Sequence, residues 1–314
     1  MKTIDIVLPV FNEEEGLDGF HHALMSVLDS LAARYRFKVI YVLDRSSDGS
    51  LDVLRQLAAH TPSVTVLHLS RRFGHQMSLL AGIDFATDDA VIMMDCDLQH
   101  PPMLIPELLD RFEQGFEIVH TVRRYDAQVG TLKRLTSRLF YQLQNRLSPV
   151  ELKEGVADFR LISKRVAEVF RTSIREQNQF LRGLFQWVGF RSTEVTFVSP
   201  PRTAGTTKYR PFRLLAFAIT GIVSFSKLPL RVATLMGFAM ATLSGLYGAW
   251  LVMKYFVGGL FPPGYASLIL VVLVIGGLQL MFLGIVGEYL GSVFDEVKRR
   301  PLYIVDEVIE GQGR

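Results

Sequence analysis

The stretch Val91-Ile92-Met93-Met94-Asp95-Cys96-Asp97-Leu98-Gln99 decides the fold of this chain. An apolar run suited to a buried strand ends there in two carboxylates that are separated by one residue. Such a pair is costly at the end of a buried strand unless a cation lies between its members. Mg²⁺ or Mn²⁺, which prefer hard oxygen ligands, suit that position. The stretch therefore predicts a strand ending at a divalent metal site built from Asp95, Asp97 and the amide oxygen of Gln99.

Outward from this stretch, residues 3–122 alternate between short β-branched runs and segments with apolar residues at helical spacing. The runs lie at 4–10, 39–43, 64–69, 90–94 and 117–122, and the helical patterns lie between them at 17–35, 51–60, 76–85 and 103–112. This alternation predicts an α/β fold with a doubly wound parallel sheet. Ligands of such sheets bind beyond the carboxyl ends of the strands, which favours metal binding over a solvated turn for the Asp-x-Asp pair.

Polar clusters after the other strands predict a nucleotide site at the same edge of the sheet. Pro9 and Phe11 could wall a slot for a nucleobase, and Glu13 could accept hydrogen bonds from the nucleoside. An acidic helix start, favoured by the helix dipole, is the alternative explanation of Glu13. Asp44 could accept from a base N–H. The loop after the third strand offers the guanidinium groups of Arg71 and Arg72, which could pair with a diphosphate.

Further arginines supply positive charge near the presumed cleft. Surface arginines usually have no specific partner, but several here are candidates to bind a second, lipid-borne phosphate. They are Arg123, Arg124, Arg134, Arg138 and Arg202. Asp158 stands two residues before Arg160, and this pair is either catalytic or a surface ion pair worth less than about 1 kcal/mol.

The C-terminal third predicts attachment to a membrane. Residues 232–257 and 266–290 are each about long enough to cross a hydrocarbon core of about 30 Å, with two buried core helices as the alternative. Basic residues at 227–231 and 298–300 flank the pair and place both ends in the cytoplasm. Residues 211–227 predict an interfacial helix or, alternatively, a buried soluble one. The N-terminus has no signal-peptide pattern, so we expect the first domain to stay in the cytoplasm.

Composition excludes several classes of protein. The 314 residues carry a net charge of only +3, and Lys and Arg form no long tract, so nucleic acid is not an expected partner. The single cysteine, Cys96, excludes an intrachain disulfide and a Cys-based zinc cluster. No Gly-x-Gly-x-x-Gly follows the first strand, which argues against a dinucleotide-binding oxidoreductase.

With these residues in view, the chain resembles the membrane-bound polyprenyl-phosphate glycosyltransferases of family 2, which have the GT-A fold. This group includes dolichol-phosphate mannose synthases and bactoprenol glucosyltransferases. The motifs that carry the resemblance lie at 9–14, 70–74, 80–82, 95–102, 158–160, 202–209, 224–231 and 287–291. The resemblance implies a cytoplasmic GT-A domain at 1–210, an amphipathic interfacial helix at 211–230, a two-helix transmembrane hairpin at 231–292 and a cytoplasmic tail at 293–314.

The resemblance also implies an activity: inverting transfer of a sugar from a nucleotide sugar to polyprenyl phosphate, dependent on Mg²⁺ or Mn²⁺. A UDP-sugar, such as UDP-glucose, is favoured over a GDP-sugar. The expected location is the cytoplasmic face of the bacterial inner membrane, in contact with the lipid bilayer, and relatives of this kind suggest a homotetramer.

Matching positions assign roles to individual residues. Asp97 and Asp158 match catalytic positions, and Asp95, Asp97 and Gln99 match metal ligands. Positions that contact the nucleotide sugar are matched by Pro9, Phe11, Glu13, Asp44, Arg71, Asp95, Arg202 and Lys208. Positions that hold the lipid phosphate are matched by Arg123, Arg134 and Ser137.

The sequence departs from the family's turn motif at two positions, and two alternative functions stay open. Leu43 and Arg45 replace the first Asp and the Gly of the family's Asp-Asp-Gly-Ser turn, which would alter base recognition or point to a non-catalytic scaffold. A processive polysaccharide synthase would need a Gln-x-x-Arg-Trp helix and more spans. The chain has Gln179 and Arg182 at that spacing but no Trp after them.

Overall fold

We analysed a computed structural model of the chain, which divides into two compact units. The first comprises Met1–Arg146, Val150–Leu214 and Arg300–Arg314, and the second comprises Leu147–Pro149 and Leu215–Arg299. The structure describes residues 1–124, 155–177, 179–198, 228–257 and 264–311. The predicted interfacial helix at 211–227 lies outside these ranges.

Within the ranges just given, the first unit has one mixed sheet of eight strands in the order β7-β5-β6-β4-β1-β2-β3-β8. The strands are β1 Lys2–Val10, β2 Tyr35–Leu43, β3 Val64–Leu69, β4 Ala90–Met93, β5 Ile118–Arg124, β6 Val156–Ser163, β7 Ser192–Val198 and β8 Val305–Glu310. Pairing is parallel for β1–β2, β1–β4, β2–β3 and β5–β7. The other three pairs are antiparallel. The predicted α/β fold with a mostly parallel sheet is confirmed.

The described residues of this unit form six α-helices, and the third packs directly on the sheet. They are α1 Glu14–Leu31, α2 Ser50–His60, α3 His75–Phe85, α4 Ile105–Glu113, α5 Lys164–Thr172 and α6 Leu181–Trp187. Gly82 of α3 faces β1, where an added Cβ would lie 2.1 Å from Cγ1 of Val7. The absence of a side chain at Gly82 thus lets α3 lie directly on the central strand, with its first residue, His75, at the carboxyl edge of the sheet.

Strand β6 was not predicted, and it changes the neighbourhood of the acidic pair. It inserts between β4 and β5, antiparallel to both, with Arg160 opposite Met93. Alternate residues of a strand share a face, so Asp158 and Arg160 lie on one side of the sheet. The Asp-x-Arg motif therefore belongs to a buried strand beside the end of β4, and the surface ion pair considered above is wrong.

The second unit contains two long helices, α7 Leu228–Phe256 and α8 Tyr265–Lys298. Among the described residues, one segment, Ile275–Lys298, is long and apolar enough to cross a membrane, and Val232–Tyr247 is a shorter apolar helix. A second membrane span, and with it the hairpin, stays a prediction.

After α8 the chain returns to the first unit. Strand β8 pairs antiparallel with β3 and closes that edge of the sheet. Ile304 accepts a hydrogen bond from the backbone N–H of Ser70 at 2.9 Å, and Tyr303 donates to Asp84 at 2.6 Å. The segment predicted as a cytoplasmic tail thus supplies the outermost strand of the sheet.

Asp5, in the middle of the core, should make stability depend on pH. Burial raises the pKa of this carboxyl to about 6, although the N–H groups of Thr87 and Asp88 donate to it. A carboxyl whose pKa is higher in the folded than in the unfolded state stabilises the fold below about pH 4 and loses that effect as the pH rises through about 6. The free energy of unfolding should therefore fall by about 3 kcal/mol over that interval.

Thermal unfolding of the detergent-solubilised protein, followed across this pH range, tests the expectation. Asp5→Asn should flatten the dependence of Tm on pH, because the amide does not titrate. Asp52→Asn, at a side chain that is 80% exposed, should leave it as in the wild type. An unchanged slope in Asp5→Asn would contradict the assignment.

Candidate functional site

The loops that follow β1, β2, β3 and β4 meet at one edge of the sheet, as the sequence predicts, because these strands are neighbours. Asn12 donates its backbone N–H to Ser46 Oγ at 3.0 Å, and Glu13 donates to Ser50 Oγ at 3.1 Å. The loop after β1, with its predicted nucleoside contact Glu13, is thereby fixed to the loop after β2.

Asp44 fastens the loop after β2 to the loop after β3. Its side chain is buried, and its two carboxylate oxygens accept from the backbone N–H groups of Phe73 at 2.6 Å and Gly74 at 2.8 Å. Gly74 has a φ of +95°, a left-handed conformation that favours glycine. The carboxylate therefore shapes the loop that carries Arg71, and its predicted contact with a base stays a prediction.

Arg45, which stands where the resembled family has glycine, has a left-handed backbone conformation. Its φ is +33°, and such a conformation in a non-glycine residue costs of the order of 1 kcal/mol or more. Its guanidinium donates to the carbonyl of Ser70 at 3.1 Å, which adds a third link between these loops.

Two arginine–aromatic stacks line this edge. The guanidinium of Arg72 lies 3.9 Å from the ring centre of Phe11, and that of Arg71 lies 4.0 Å from the ring centre of Phe73. Phe11, which with Pro9 was predicted to wall a nucleobase slot, is therefore covered by the guanidinium of Arg72, which was predicted to pair with a diphosphate. Planar stacking of this kind is typical of Arg.

The acidic pair follows β4, and its first member is held by two histidines. Nε2 of His75 lies 2.8 Å from Oδ1 of Asp95. Burial alone would lower the pKa of His75, but the adjacent Asp95 carboxylate outweighs it and raises this pKa to about 9. Nε2 of His75 therefore donates to the carboxylate of Asp95, which can only accept. Nδ1 of His100 accepts the backbone N–H of Asp95 at 2.9 Å and so carries no proton, in agreement with burial lowering the pKa of His100.

The second member of the pair lies in a tight turn. Oδ1 of Asp97 accepts from the N–H of Gln99 at 3.0 Å, and Leu98 between them has a φ of +58°. Oε1 of Gln99 accepts from Nη2 of Arg123 at 3.3 Å. Arg123, predicted for a lipid phosphate, thus lies beside the predicted metal ligand Gln99.

The chemistry of these oxygen donors fits a divalent ion. Within the described ranges, no group of three His, Cys, Asp or Glu residues is placed to hold a metal. Mg²⁺ is usually held by one or two carboxylates together with substrate phosphates, and it retains several waters. Asp95 and Asp97, both partly exposed on either side of buried Cys96, match that pattern, with His75 orienting the first carboxylate.

Asp158 lies between two guanidinium groups. Arg182 binds it through Nε at 2.9 Å and Nη2 at 2.6 Å, and Arg160 contacts it at 3.2 Å. Burial alone would raise the pKa of Asp158, but the two cations outweigh it and hold this pKa far below its usual range. Arg160 packs on the ring of Phe185, and its buried Nη1 has no partner among the described residues.

Some predicted site residues lie outside the described ranges, and the site also contains residues that were not predicted. Arg134, Ser137, Arg202 and Lys208 lie outside the described residues. The residues whose contacts sequence reasoning missed include His75, Gln76 and His100. Two features of the sequence point to these residues. A helix begins directly after the Arg-Arg-Phe-Gly loop, which places His75 and Gln76 at the carboxyl edge of the sheet, and His100 directly follows the Asp-x-Asp turn.

Comparison with known proteins places this chain in a family. The model of glycosyl transferase family 2 matches residues 5–170. A glycosyltransferase of Synechocystis is 40% identical over 305 residues, covering 97% of this chain and 95% of that protein. The SfII prophage-derived bactoprenol glucosyl transferase of Shigella flexneri is 38% identical, covering 98% and 99%. A prophage bactoprenol glucosyl transferase homolog of Escherichia coli is 37% identical, covering 97% and 99%.

The contacts of Asp44 predict which amides depend on it. Asp44→Asn removes the charge and turns one acceptor into a donor facing Phe73 or Gly74, so the loop at 70–74 should open more often. Loss of a hydrogen bond to a charged group, worth about 1.5–3 kcal/mol, should speed amide exchange there about 10- to 100-fold. Hydrogen-exchange mass spectrometry measures this, with Asp52→Asn as the surface control. Wild-type protection of that peptide in Asp44→Asn would contradict the assigned role.

Proposed function

The chain belongs to glycosyl transferase family 2 and is a glycosyltransferase, and from this premise we propose the reaction it catalyses. The proposed reaction is metal-dependent, inverting transfer of glucose or a related sugar from its UDP derivative to polyprenyl phosphate. It takes place at the cytoplasmic face of the bacterial inner membrane. The observation that carries the proposal is the Asp95–Asp97 pair at the end of β4, fixed by His75 and flanked by arginines.

The names of the relatives indicate which substrates to test first. Two of them are named bactoprenol glucosyl transferases, and the alignments cover nearly the whole of both chains. Because similarity extends over the C-terminal helices as well as the family domain, a lipid-linked acceptor and a glucosyl donor are the first substrates to test.

The proposed step forms one bond and breaks one. An oxygen of the acceptor phosphate attacks the anomeric carbon from the face opposite to the nucleotide, and the bond from that carbon to the β-phosphate oxygen breaks. The electron pair leaves on UDP, and the configuration inverts. A phosphate monoester has a second pKa of about 6, so it is largely a dianion at neutral pH and needs no base to become a nucleophile.

Asp95 and Asp97 would hold the ion, with Gln99 as a third candidate ligand. When bound, Mg²⁺ or Mn²⁺ would neutralise charge on the departing diphosphate. Arg71 supplies a cation for the same phosphates. Pro9, Phe11, Glu13 and Asp44 would contact the nucleoside, and Arg202 and Lys208 would close over the donor.

The membrane part of the proposal rests on α8. Ile275–Lys298 meets the length and apolarity needed to cross a bilayer. We propose that α7 forms a second span and that both ends of the hairpin are cytoplasmic. Arg123, Arg134 and Ser137 would then bind the phosphate of the lipid acceptor. A homotetramer is proposed on the family resemblance alone, and light scattering of the solubilised protein would test it.

Purified protein in lipid nanodiscs, incubated with C55 polyprenyl phosphate and a panel of nucleotide sugars, tests the reaction. We expect one sugar to appear on the lipid, and we expect EDTA to stop the transfer until Mn²⁺ is restored. Asp97→Ala should lower kcat/KM at least about 100-fold, since changes even to residues behind a ligand cost 10–100-fold. Asp110→Ala, at an exposed carboxylate on α4, should match the wild type.

Three results would count against the proposal. They are transfer that persists in Asp97→Ala, donor hydrolysis that does not depend on the lipid phosphate, and a long polymer as product. The last would instead indicate a processive synthase.

A further inference from the structure

Resting on the proposed function, we propose that the guanidinium of Arg72 is the surface on which the nucleobase of the sugar donor stacks. Phe11, which the family resemblance assigns to the nucleotide, then supports this guanidinium and acts on the base through it. Arg72 is thus a binding residue for the base, and the diphosphate is left to Arg71 and the metal ion.

The first argument is the stack itself. The guanidinium carbon of Arg72 lies 3.9 Å from the ring centre of Phe11, a distance that fits stacking of the two groups. Phe11 is half-buried, whereas Arg72 is exposed. A planar ligand that arrives from solvent on this side therefore meets the guanidinium before it meets the ring. Nucleobases stack on guanidinium planes as they do on aromatic rings.

The second argument is that the Arg72 side chain has no other role within the described residues. There its guanidinium contacts the ring of Phe11 and makes no hydrogen bond or ion pair. Arg71 differs, because its Nη1 donates to the carbonyl oxygen of Arg72 at 3.1 Å. Arg71 thus helps to shape its own loop, whereas the contacts of Arg72 do nothing but place its guanidinium on Phe11.

The third argument is that both members of the stack are fixed to one loop. Asn12, directly after Phe11, donates its N–H to Ser46 Oγ at 3.0 Å. Asp44 accepts at 2.6 Å from the backbone N–H that follows Arg72. The loop after β2 therefore holds the backbone beside each partner, so the stack is formed before a ligand arrives. A preformed surface lowers the entropic cost of binding.

The fourth argument is position. Cys96, which separates Asp95 from Asp97, donates from Sγ to the carbonyl oxygen of Pro9 at 3.7 Å. Pro9 lies two residues before Phe11, so the stack and the predicted metal ligands are neighbours at the carboxyl edge of the sheet. Ligands of such sheets bind at this edge. A nucleotide whose diphosphate meets the ion would have its base within reach of the stack.

The shape of the guanidinium distinguishes a base from a phosphate. A phosphate is bound by the N–H donors at the edge of the group, whereas a base is bound by its face. Contact with Phe11 holds the Arg72 guanidinium flat against the protein, so the face is the broad surface turned to solvent. Lys keeps the charge of Arg but has no plane, and it therefore separates the two kinds of ligand.

Arg72→Lys provides the main test. Calorimetry on the full-length protein in lipid nanodiscs measures the affinities of UDP and of pyrophosphate, each with Mn²⁺. We expect the affinity for UDP to fall at least about 5-fold, the lower end of the effect of losing a stacking partner of a base. The affinity for pyrophosphate should stay at the wild-type value, because the charge is kept. An equal loss for both ligands, or wild-type affinity for UDP, would overturn the inference.

Arg72→Tyr tests the plane without the charge. A tyrosine ring can stack on Phe11 and offers a face on which a base can stack in turn. We therefore expect Arg72→Tyr to bind UDP much as the wild type does. If it loses as much affinity for UDP as Arg72→Lys, the planar surface is not what holds the base, and the inference is wrong.

Arg191→Lys is the matched control. Arg191 is also an exposed arginine stacked on a phenylalanine, with its guanidinium carbon 4.5 Å from the ring centre of Phe116. It precedes β7, which runs parallel to β5, and so lies at the amino edge of the sheet, opposite the candidate site. Loss of an arginine–aromatic stack there should leave both affinities unchanged.

The outcomes separate the inference from the proposed function. If the wild type transfers sugar but binds UDP no more tightly than pyrophosphate, no base site exists and the inference fails while the function stands. If the wild type transfers no sugar to polyprenyl phosphate but Arg72→Lys still weakens UDP alone, the proposed function fails and the base site stands.

Discussion

Removing a carboxylate from water costs free energy unless hydrogen-bond donors or cations contact it. This requirement links the loops at the carboxyl edge of the sheet. Asp44 meets the backbone of the next loop, Asp95 meets His75 at the start of α3, and Asp158 meets Arg182 at the start of α6. Each partner comes from a different element. The acidic side chains therefore hold separate segments of the chain together. Their partner residues are needed to build the site as much as the acidic residues are.

The site is electrostatically divided. Asp95 and Asp97 offer oxygen donors that suit a cation, whereas the carboxylate of Asp158 already contacts the guanidinium groups of Arg160 and Arg182. This arrangement is due to strand β6, which lies antiparallel beside β4 and so brings Asp158 and Arg160 next to the acidic pair. On the proposed function, the acidic half would hold the metal ion that accompanies the donor diphosphate.

Local patterns were enough to predict β1 to β5, the α/β class and the position of the acidic pair, because period and burial are encoded in neighbouring residues. Contacts between distant segments were beyond such patterns. His75 reaches Asp95 across 20 positions and Arg182 reaches Asp158 across 24, and no spacing rule links them. Strand β6 was missed because Asp158 and Arg160 interrupt its apolar pattern, although the strand is buried. Strand β8 was missed because its pairing partner, β3, lies more than 200 residues upstream.

Strand β8 makes the edge of the sheet depend on a distant part of the chain. It follows both long apolar helices in the sequence, yet it pairs with β3, which lies more than 200 residues upstream. Until β8 has been synthesised, β3 presents unpaired backbone groups, which favour association with other chains. A chain truncated before β8 would therefore be prone to aggregate through that edge.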